Sequence, residues 1–97
     1  MPLYAIVAHD KPGALDHRLA VRPEHLKHLE GLGDRLVFAG PFQDEEGKAT
    51  GSIVVIAADD LAAATELFMA DPFIVQGVFG DYQIRRWALT INNSAGR

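Results

Sequence analysis

His25 and Asp10 are the two residues of this sequence whose types and positions suit acid–base chemistry. Asp10 follows the apolar segment LYAIVAH, and His25 lies in VRPEHLKHLE beside the leucines of a predicted helix. A carboxylate on one ring nitrogen holds a histidine in one tautomer and leaves the other nitrogen free as a base near neutral pH. The spacing also fits a partly exposed helix histidine and a turn-forming aspartate before Pro12, so the residues alone leave both interpretations open.

Two arginines shortly before His25 and one serine at the start of a later predicted strand are candidates for substrate binding. Arg18 and Arg22 precede His25 by about two turns and one turn of a helix, and a guanidinium there could bind a substrate carboxylate through two hydrogen bonds. Solvation at the surface, or an ion pair with Asp10 or another aspartate, fits equally well. Ser52 could orient a ligand, but no G-x-S-x-G motif surrounds it, so we do not predict a nucleophile.

Two further features have a structural and a functional interpretation. Asp71 and Pro72 are predicted mainly as a helix cap and turn, and Phe73 either lines the pocket or fills the core. Asp71 and Phe73 are also candidates for substrate binding. His25 and His28 are three residues apart with glutamates nearby, but no third carboxylate is in step with them. We therefore predict no metal site.

The composition restricts the class of protein. The chain has 97 residues, a net charge of −4 and no cysteine, which excludes disulfides and thiolate catalysis. Its nine Lys and Arg residues are scattered, so the basic surface of a nucleic-acid-binding protein is missing. Neither a membrane-spanning segment nor a signal peptide is evident, and we expect a cytoplasmic protein without membrane contact.

The predicted elements follow the order β-α-β-β-α-β within a single domain, residues 1–97, with a core at about 3–88 and a flexible tail at 90–97. The strands are predicted at 3–9, 35–42, 51–57 and 81–89, and Gly40 and Pro41 are predicted to end the second of them. Pro23 predicts a break between a short helix ending near Ala20 and a main helix. The second helix is predicted at 61–70. The leucines predicted to face the sheet are Leu15, Leu19, Leu26, Leu29 and Leu32.

This order predicts an α+β, ferredoxin-like sandwich in which both helices cover one face of a four-stranded antiparallel sheet. The first and third strands are apolar on both alternating faces, so one apolar face stays uncovered. We predict that Tyr4, Ile6 and Ala8 lie on that face. A second copy packed sheet against sheet would cover it, and we expect a homodimer.

Four segments extend this interpretation to a known family. AHDKPGALDHRLAVRPEHLKHL, LVFAGPF, TGSIVVI and DPFIVQGVF occur in this order within residues 3–88 and resemble the YciI-like (YCII-related) family of small bacterial proteins. The resemblance implies a ferredoxin-like fold that dimerises into an α/β barrel, with a His–Asp pair in a pocket and no metal or organic cofactor. Carried over residue by residue, the motif positions fall on Asp10, His25, Ser52, Asp71, Pro72 and Phe73.

The chain departs from the family pattern at two places. His9 puts a second imidazole beside the proposed carboxylate of Asp10, so His9 is an alternative working group. The loop from Gln43 to Thr50 looks shorter than in many relatives, which would alter substrate choice if that loop walls the pocket.

The predicted function is that of a small cofactor-independent enzyme acting on a small organic substrate. His25, oriented by Asp10, would transfer a proton in a lyase- or isomerase-like reaction, and the resemblance favours elimination on hydroxylated aromatic compounds. The alternatives are a dimer that binds a metabolite without turnover and an accessory domain that binds another protein. A pH-dependent rate would distinguish the enzyme from the binder, and a ligand that raises the melting temperature would argue against the accessory domain.

Overall fold

The computed structural model describes residues 1–97 and has the predicted α+β, ferredoxin-like fold. The elements are β1 (Leu3–Asp10), α1 (Leu15–Gly31), β2 (Leu36–Gln43), β3 (Ala49–Ala57), α2 (Leu61–Met69), α3 (Pro72–Val75) and β4 (Phe79–Trp87). The strands form one sheet in the order β2-β3-β1-β4, and every neighbouring pair is antiparallel. None of the helices combines the length and the apolar content that crossing a membrane requires.

Strand β1 is central in the sheet and shows which face the helices cover. Tyr4, Ile6 and Ala8 are buried in a core that includes residues of α1 and α2, whereas Leu3, Ala5 and Val7 are only partly buried on the other face. Our prediction that Tyr4, Ile6 and Ala8 lie on the uncovered face was therefore wrong. Alternation with a period of two separates two sets of side chains, and it does not indicate which set the helices cover when both are apolar.

Helix α1 runs without interruption from Leu15 to Gly31, with Pro23 inside it, so the predicted break near Ala20 was also wrong. A proline inside a helix costs about 3 kcal/mol because one backbone hydrogen bond is lost and the ring crowds the preceding turn. Pro23 lies on the exposed side of α1, and Val21 and His25, on either side of it, are buried. The packing of both halves of the helix against the protein offsets the cost of the proline.

The buried face of α1 coincides only in part with the row of leucines predicted from the sequence, because Leu29 is buried and Leu32 packs against the core while Leu19 and Leu26 are exposed. Its buried residues are Arg18, Val21, His25 and Leu29, which follow one another at helical spacings of three, four and four residues. Leu19 and Leu26 are 56% and 42% exposed. The helix is rotated so that two polar side chains are turned inward, and burial of such groups is tolerated only when they are paired.

Strand β2 continues through Gly40 and Pro41 to Gln43, so these residues do not end the strand as predicted. Pro41 lies opposite Ser52 of β3, and β2 is at the edge of the sheet. A proline is compatible with an edge strand because its missing N–H can lie on the side that has no neighbouring strand.

Candidate acid–base site

His25 is paired with Asp71. The Nδ1 atom of His25 lies 2.8 Å from Oδ1 and 2.9 Å from Oδ2 of Asp71, and both side chains are almost completely buried. Because an ionised carboxylate only accepts hydrogen bonds, this contact places the imidazole hydrogen on Nδ1 and the lone pair on Nε2. The prediction that Asp10 orients His25 was therefore wrong, although a carboxylate does hold the histidine of the helix.

Asp71 is positioned by the start of helix α3. Its backbone is extended, as expected for a residue before proline, and Pro72 occupies the first turn of the helix. The carboxylate caps the helix by accepting a hydrogen bond of 2.9 Å from the backbone N–H of Phe73. The same carboxylate therefore caps α3 and orients His25 of α1, which makes the orientation of the imidazole depend on the packing of α3 against α1.

The ring of Phe73 packs against the face of the His25 imidazole. The two rings are stacked with their centroids 3.9 Å apart and their planes inclined by 11°. Phe73 is fully buried, and the guanidinium carbon of Arg18 lies 4.6 Å from the centroid of the same phenyl ring. Phe73 thus contacts both polar groups that α1 turns inward.

Arg18 is held between two strands. Its Nη1 donates a hydrogen bond of 2.7 Å to Oδ1 of Asp10 on β1, and its Nη2 donates one of 2.7 Å to Oγ of Ser52 on β3. Only 5% of the Arg18 side chain and 7% of the Asp10 side chain are exposed. The partners make the burial of the guanidinium tolerable, and the ion pair was one of the alternatives that the sequence left open for Arg18.

A steric constraint explains the glycine that precedes Ser52. Gly51 pairs with His9 of β1, and a Cβ atom on Gly51 would lie 2.4 Å from the carbonyl oxygen of Ala8. Any larger residue would push β3 away from β1 at the point where Ser52 and Asp10 approach Arg18. The glycine of the TGS segment therefore permits the close strand contact that brings these two side chains together.

The carboxyl group of Asp10 is electrostatically unusual. Burial raises the pKa of Asp10 above its ordinary value of 3.8, while the charge and the hydrogen bond of Arg18 and the charge of His9 act in the opposite direction. Its Oδ2 is buried and has no hydrogen-bond partner. Because the pKa of Asp10 is higher in the folded state than its ordinary value, protonation of this carboxyl group stabilises the folded protein. This contribution to the free energy of unfolding is complete below pH 3.8 and is lost as the pH rises through the folded-state pKa.

We expect Arg18→Met to raise the pKa of Asp10 further, because the substitution removes both effects that Arg18 exerts on the carboxyl group. Titration of the side-chain carboxyl carbon of Asp10 by NMR, in the wild type and the variant, measures this change. Arg35→Met is the matched control, since Arg35 is exposed and directly precedes β2, whose first residue is level with Tyr4 and not with Asp10 of β1. An Asp10 titration that is the same in the wild type and Arg18→Met would contradict the role assigned to the ion pair.

Arg18, His25 and Ser52 line one cavity of about 200 Å³. Most of the other lining residues are apolar, and they are Leu19, Leu26, Leu29, Ala39, Pro41, Ala49, Val54 and Phe73. Nε2 of His25 makes no hydrogen bond within the protein. A cavity of this volume lies below the roughly 300–1,000 Å³ of sites for drug-sized ligands, and it suits a compound of about one ring.

A larger cavity, of about 360 Å³, lies elsewhere on the molecule. Its lining includes Arg35, Asp59 and Glu66 but no histidine, and none of its residues lines the cavity at His25. Volume alone does not make a functional site. The smaller cavity combines an oriented imidazole, a buried guanidinium and apolar walls, and it is the candidate site.

The remaining predicted residues lie outside the hydrogen-bonded cluster. Arg22 is exposed at the edge of the cavity. His9 is exposed and stacks on Phe42, with ring centroids 6.0 Å apart, and it does not line the cavity. His28 is partly buried. No group of three or more His, Asp or Glu side chains is arranged to hold a metal ion.

Sequence reasoning had assigned Asp71 to substrate binding and had missed its contact with His25. The two residues are 46 positions apart, and nothing local connects them. The inward orientation of Arg18 and His25 did have a signal, because Arg18, Val21, His25 and Leu29 share one helical face. That signal was outweighed by the assumption that the leucines define the buried side.

Comparisons with known proteins agree with the fold and the size of the chain. The sequence model of the YCII-related domain family matches residues 2–88. Protein YciI of Escherichia coli O6:H1 is 40% identical over 91 residues, which cover 86% of this chain and 93% of the relative. The solved structure of 5-chloro-2-hydroxyhydroquinone dehydrochlorinase from Burkholderia phenoliruptrix, in complex with 2,5-dihydroxybenzoquinone, has a TM-score of 0.81 at 27% identity and covers 89% of this chain and 93% of its own. An antibiotic biosynthesis monooxygenase, at 18% identity and a TM-score of 0.55 over 92% of this chain and 99% of its own, shares the fold.

Proposed function

The chain belongs to the YCII-related domain family. We propose that it is a small enzyme in which His25 transfers a proton on a small organic substrate. The observation that carries the proposal is the contact of His25 Nδ1 with both carboxylate oxygens of Asp71, at the wall of a cavity of about 200 Å³. The contact leaves Nε2 as the basic atom toward a bound molecule.

The proposed reaction is a base-assisted elimination or isomerisation. Nε2 of His25 removes a proton from the substrate, and the carboxylate of Asp71 stabilises the imidazolium that forms. In an isomerisation the imidazolium returns the proton to the substrate. In an elimination the leaving group departs with its electron pair, and the imidazolium gives the proton to a basic leaving group or, when chloride departs, to solvent. Such a reaction needs a base, a charge-stabilising group and exclusion of water, so the proposed enzyme works without a cofactor.

The solved structure of the dehydrochlorinase supports a substrate class. That protein acts on a chlorinated, hydroxylated ring by name, and its structure contains a dihydroxylated quinone. We place this chain's substrate in the same broad class, a small hydroxylated ring compound. The apolar walls of the cavity would contact the ring, while Arg18, Ser52 and His25 are the polar groups available to its substituents.

The first experiment is a thermal-shift and turnover screen of small hydroxylated rings. The panel includes 5-chloro-2-hydroxyhydroquinone, with chloride release as the readout, and 2,5-dihydroxybenzoquinone as a binding probe. A compound that raises the melting temperature and is turned over supports the proposal. Binding without turnover across the panel would favour a metabolite-binding protein instead, and no thermal shift with any compound would argue against both.

We propose further that the chain forms a homodimer through the face of the sheet that the helices leave uncovered. On this face Leu3, Ala5 and Val7 of β1 are only partly buried. Trp87, which pairs with Leu3, and Phe38 are each 38% exposed, and their rings contact each other with centroids 6.0 Å apart. A second copy would cover these apolar side chains by two-fold symmetry.

We expect light scattering after gel filtration to show twice the 10.6 kDa of one chain. Val7→Glu should shift the protein toward the monomer, because it places a charge in the centre of the proposed interface. Val75→Glu is the matched control, since Val75 is 70% exposed on α3. A monomeric wild type, or a dimer that tolerates Val7→Glu, would contradict this interface.

A further inference from the structure

Arg18 has hydrogen-bond donors that its protein partners do not use. A guanidinium carries five N–H groups, and Arg18 donates one from Nη1 to Asp10 and one from Nη2 to Ser52. Arg18 is nevertheless buried, and it lines the cavity that contains His25. Asp10 and Ser52 already hold this guanidinium in place. A ligand could therefore accept hydrogen bonds from the unused N–H groups without a rearrangement of Arg18.

Ser52 contributes a second donor beside the first. Its Oγ accepts the hydrogen bond from Nη2 of Arg18, and the hydroxyl group donates to no protein atom. An oxygen that accepts from a guanidinium must direct its own hydrogen elsewhere. Ser52 is 3% exposed and lines the same cavity, so its hydroxyl hydrogen and the unused N–H groups of Arg18 can converge on one acceptor atom.

The position of both donors is fixed by their surroundings. Asp10 holds Arg18 from β1, the ring of Phe73 lies against the guanidinium, and the backbone of β3 fixes Ser52 in the register that Gly51 permits. Donors fixed before the reaction stabilise a developing negative charge without the cost of reorganisation.

The donors and the base lie within the span of one small molecule. The guanidinium carbon of Arg18 lies 4.6 Å from the centroid of Phe73, and the ring centroid of His25 lies 3.9 Å from the same point. Arg18 and His25 are therefore no more than about 8.5 Å apart by these distances. A single ring in the cavity could present a proton to Nε2 of His25 and an oxygen to Arg18.

We propose that Arg18 and the hydroxyl group of Ser52 form a binding site for an anionic oxygen of the substrate. This inference rests on the proposed function of His25, and it narrows the substrate to compounds that become enolates or phenolates when they lose a proton. When the proton leaves a carbon beside a carbonyl, it passes to Nε2 of His25 and the electron pair of the C–H bond delocalises onto the carbonyl oxygen held by Arg18 and Ser52. When the proton leaves a phenol, the electron pair of the O–H bond stays on the same oxygen. No bond to either residue forms. Return of the proton restores the carbonyl or the phenol, whereas departure of a leaving group with its electron pair restores the carbonyl and leaves a new double bond.

The binding test compares an anionic probe with a neutral one. 2,5-Dihydroxybenzoquinone has strongly acidic enolic hydroxyl groups and is an anion at neutral pH, whereas hydroquinone has a six-carbon ring of similar size and stays un-ionised. We expect the wild type to bind the anionic probe at least about 10-fold more tightly by calorimetry, because hydrogen bonds to an ionised acceptor are stronger than those to a neutral one. Equal affinity for the two probes would overturn the inference.

Two variants test the residues. Ser52→Ala removes one donor and one anchor of Arg18, and the double variant Asp10→Asn with Arg18→Gln removes both buried charges together, so that neither is left unpaired. We expect each to reduce the preference for the anionic probe by about 10-fold or more. Ser94→Ala and Arg35→Gln, at exposed positions, are matched controls that keep the preference. Melting temperatures and amide spectra confirm that each protein is folded.

His25→Gln separates this inference from the proposed function. If Arg18 and Ser52 hold the anion, His25→Gln retains the preference for the anionic probe while turnover is lost. If His25→Gln abolishes the preference and Ser52→Ala does not, the anion is held by the histidine and the inference is overturned. Full turnover in His25→Gln would instead contradict the proposed base, whatever the binding data show.

Discussion

We expect His25→Gln to lower turnover by about 10²- to 10⁴-fold, the usual contribution of a well-placed general base. Glutamine can still donate a hydrogen bond to the carboxylate of Asp71, but it has no basic nitrogen to receive a proton. The measurement is the initial rate of chloride release from 5-chloro-2-hydroxyhydroquinone, or of conversion of whichever compound the screen identifies. The loss should appear mainly in kcat, because the residue acts on the reacting proton.

The matched control for this substitution is His17→Gln. His17 lies on the same helix and is exposed, so its substitution tests the effect of removing a histidine from α1 without touching the cavity. His25→Gln must also keep its folded amide spectrum, since the imidazole packs against Phe73. A folded His25→Gln protein with the rate of the wild type would rule out His25 as the base.

Asp71→Asn should have the second-largest effect, a loss of about 10²- to 10⁴-fold in turnover. An asparagine amide can donate to Nδ1 of His25, which would place the imidazole hydrogen on Nε2 and remove the basic lone pair from the cavity. The asparagine also cannot stabilise an imidazolium as the carboxylate does. The experiment compares kcat across a pH series in the wild type and the variant, because a wrong tautomer lowers the rate at every pH.

The double role of Asp71 requires its own control. Asparagine is as good a helix cap as aspartate, so Asp71→Asn should keep α3 in place. Asp60→Asn makes the same substitution at the cap of α2, where the carboxylate accepts from the N–H of Ala63 and contacts no histidine. If Asp60→Asn and Asp71→Asn lower the rate equally, the effect comes from helix capping and the orienting role of Asp71 is wrong.

The residue types at the site could be read from the sequence to a large extent. Asp10, Arg18, His25, Ser52, Asp71 and Phe73 were all candidates, and they all lie in one hydrogen-bonded or stacked cluster. The fold was also predictable, because strand and helix periodicities alternate along the chain and glycine and proline punctuate them. Both results depend on short-range patterns, which a single sequence displays.

The partners within the cluster were decided by the tertiary structure alone. Asp10 is 15 residues from His25 and Asp71 is 46, so chain distance favoured the wrong carboxylate. The rotation of α1, which turns Arg18 and His25 inward, and the position of α3, which brings Asp71 to His25, arise from packing between distant segments. A buried polar group must find a partner, but local sequence cannot show which of several carboxylates the folded chain will place beside it.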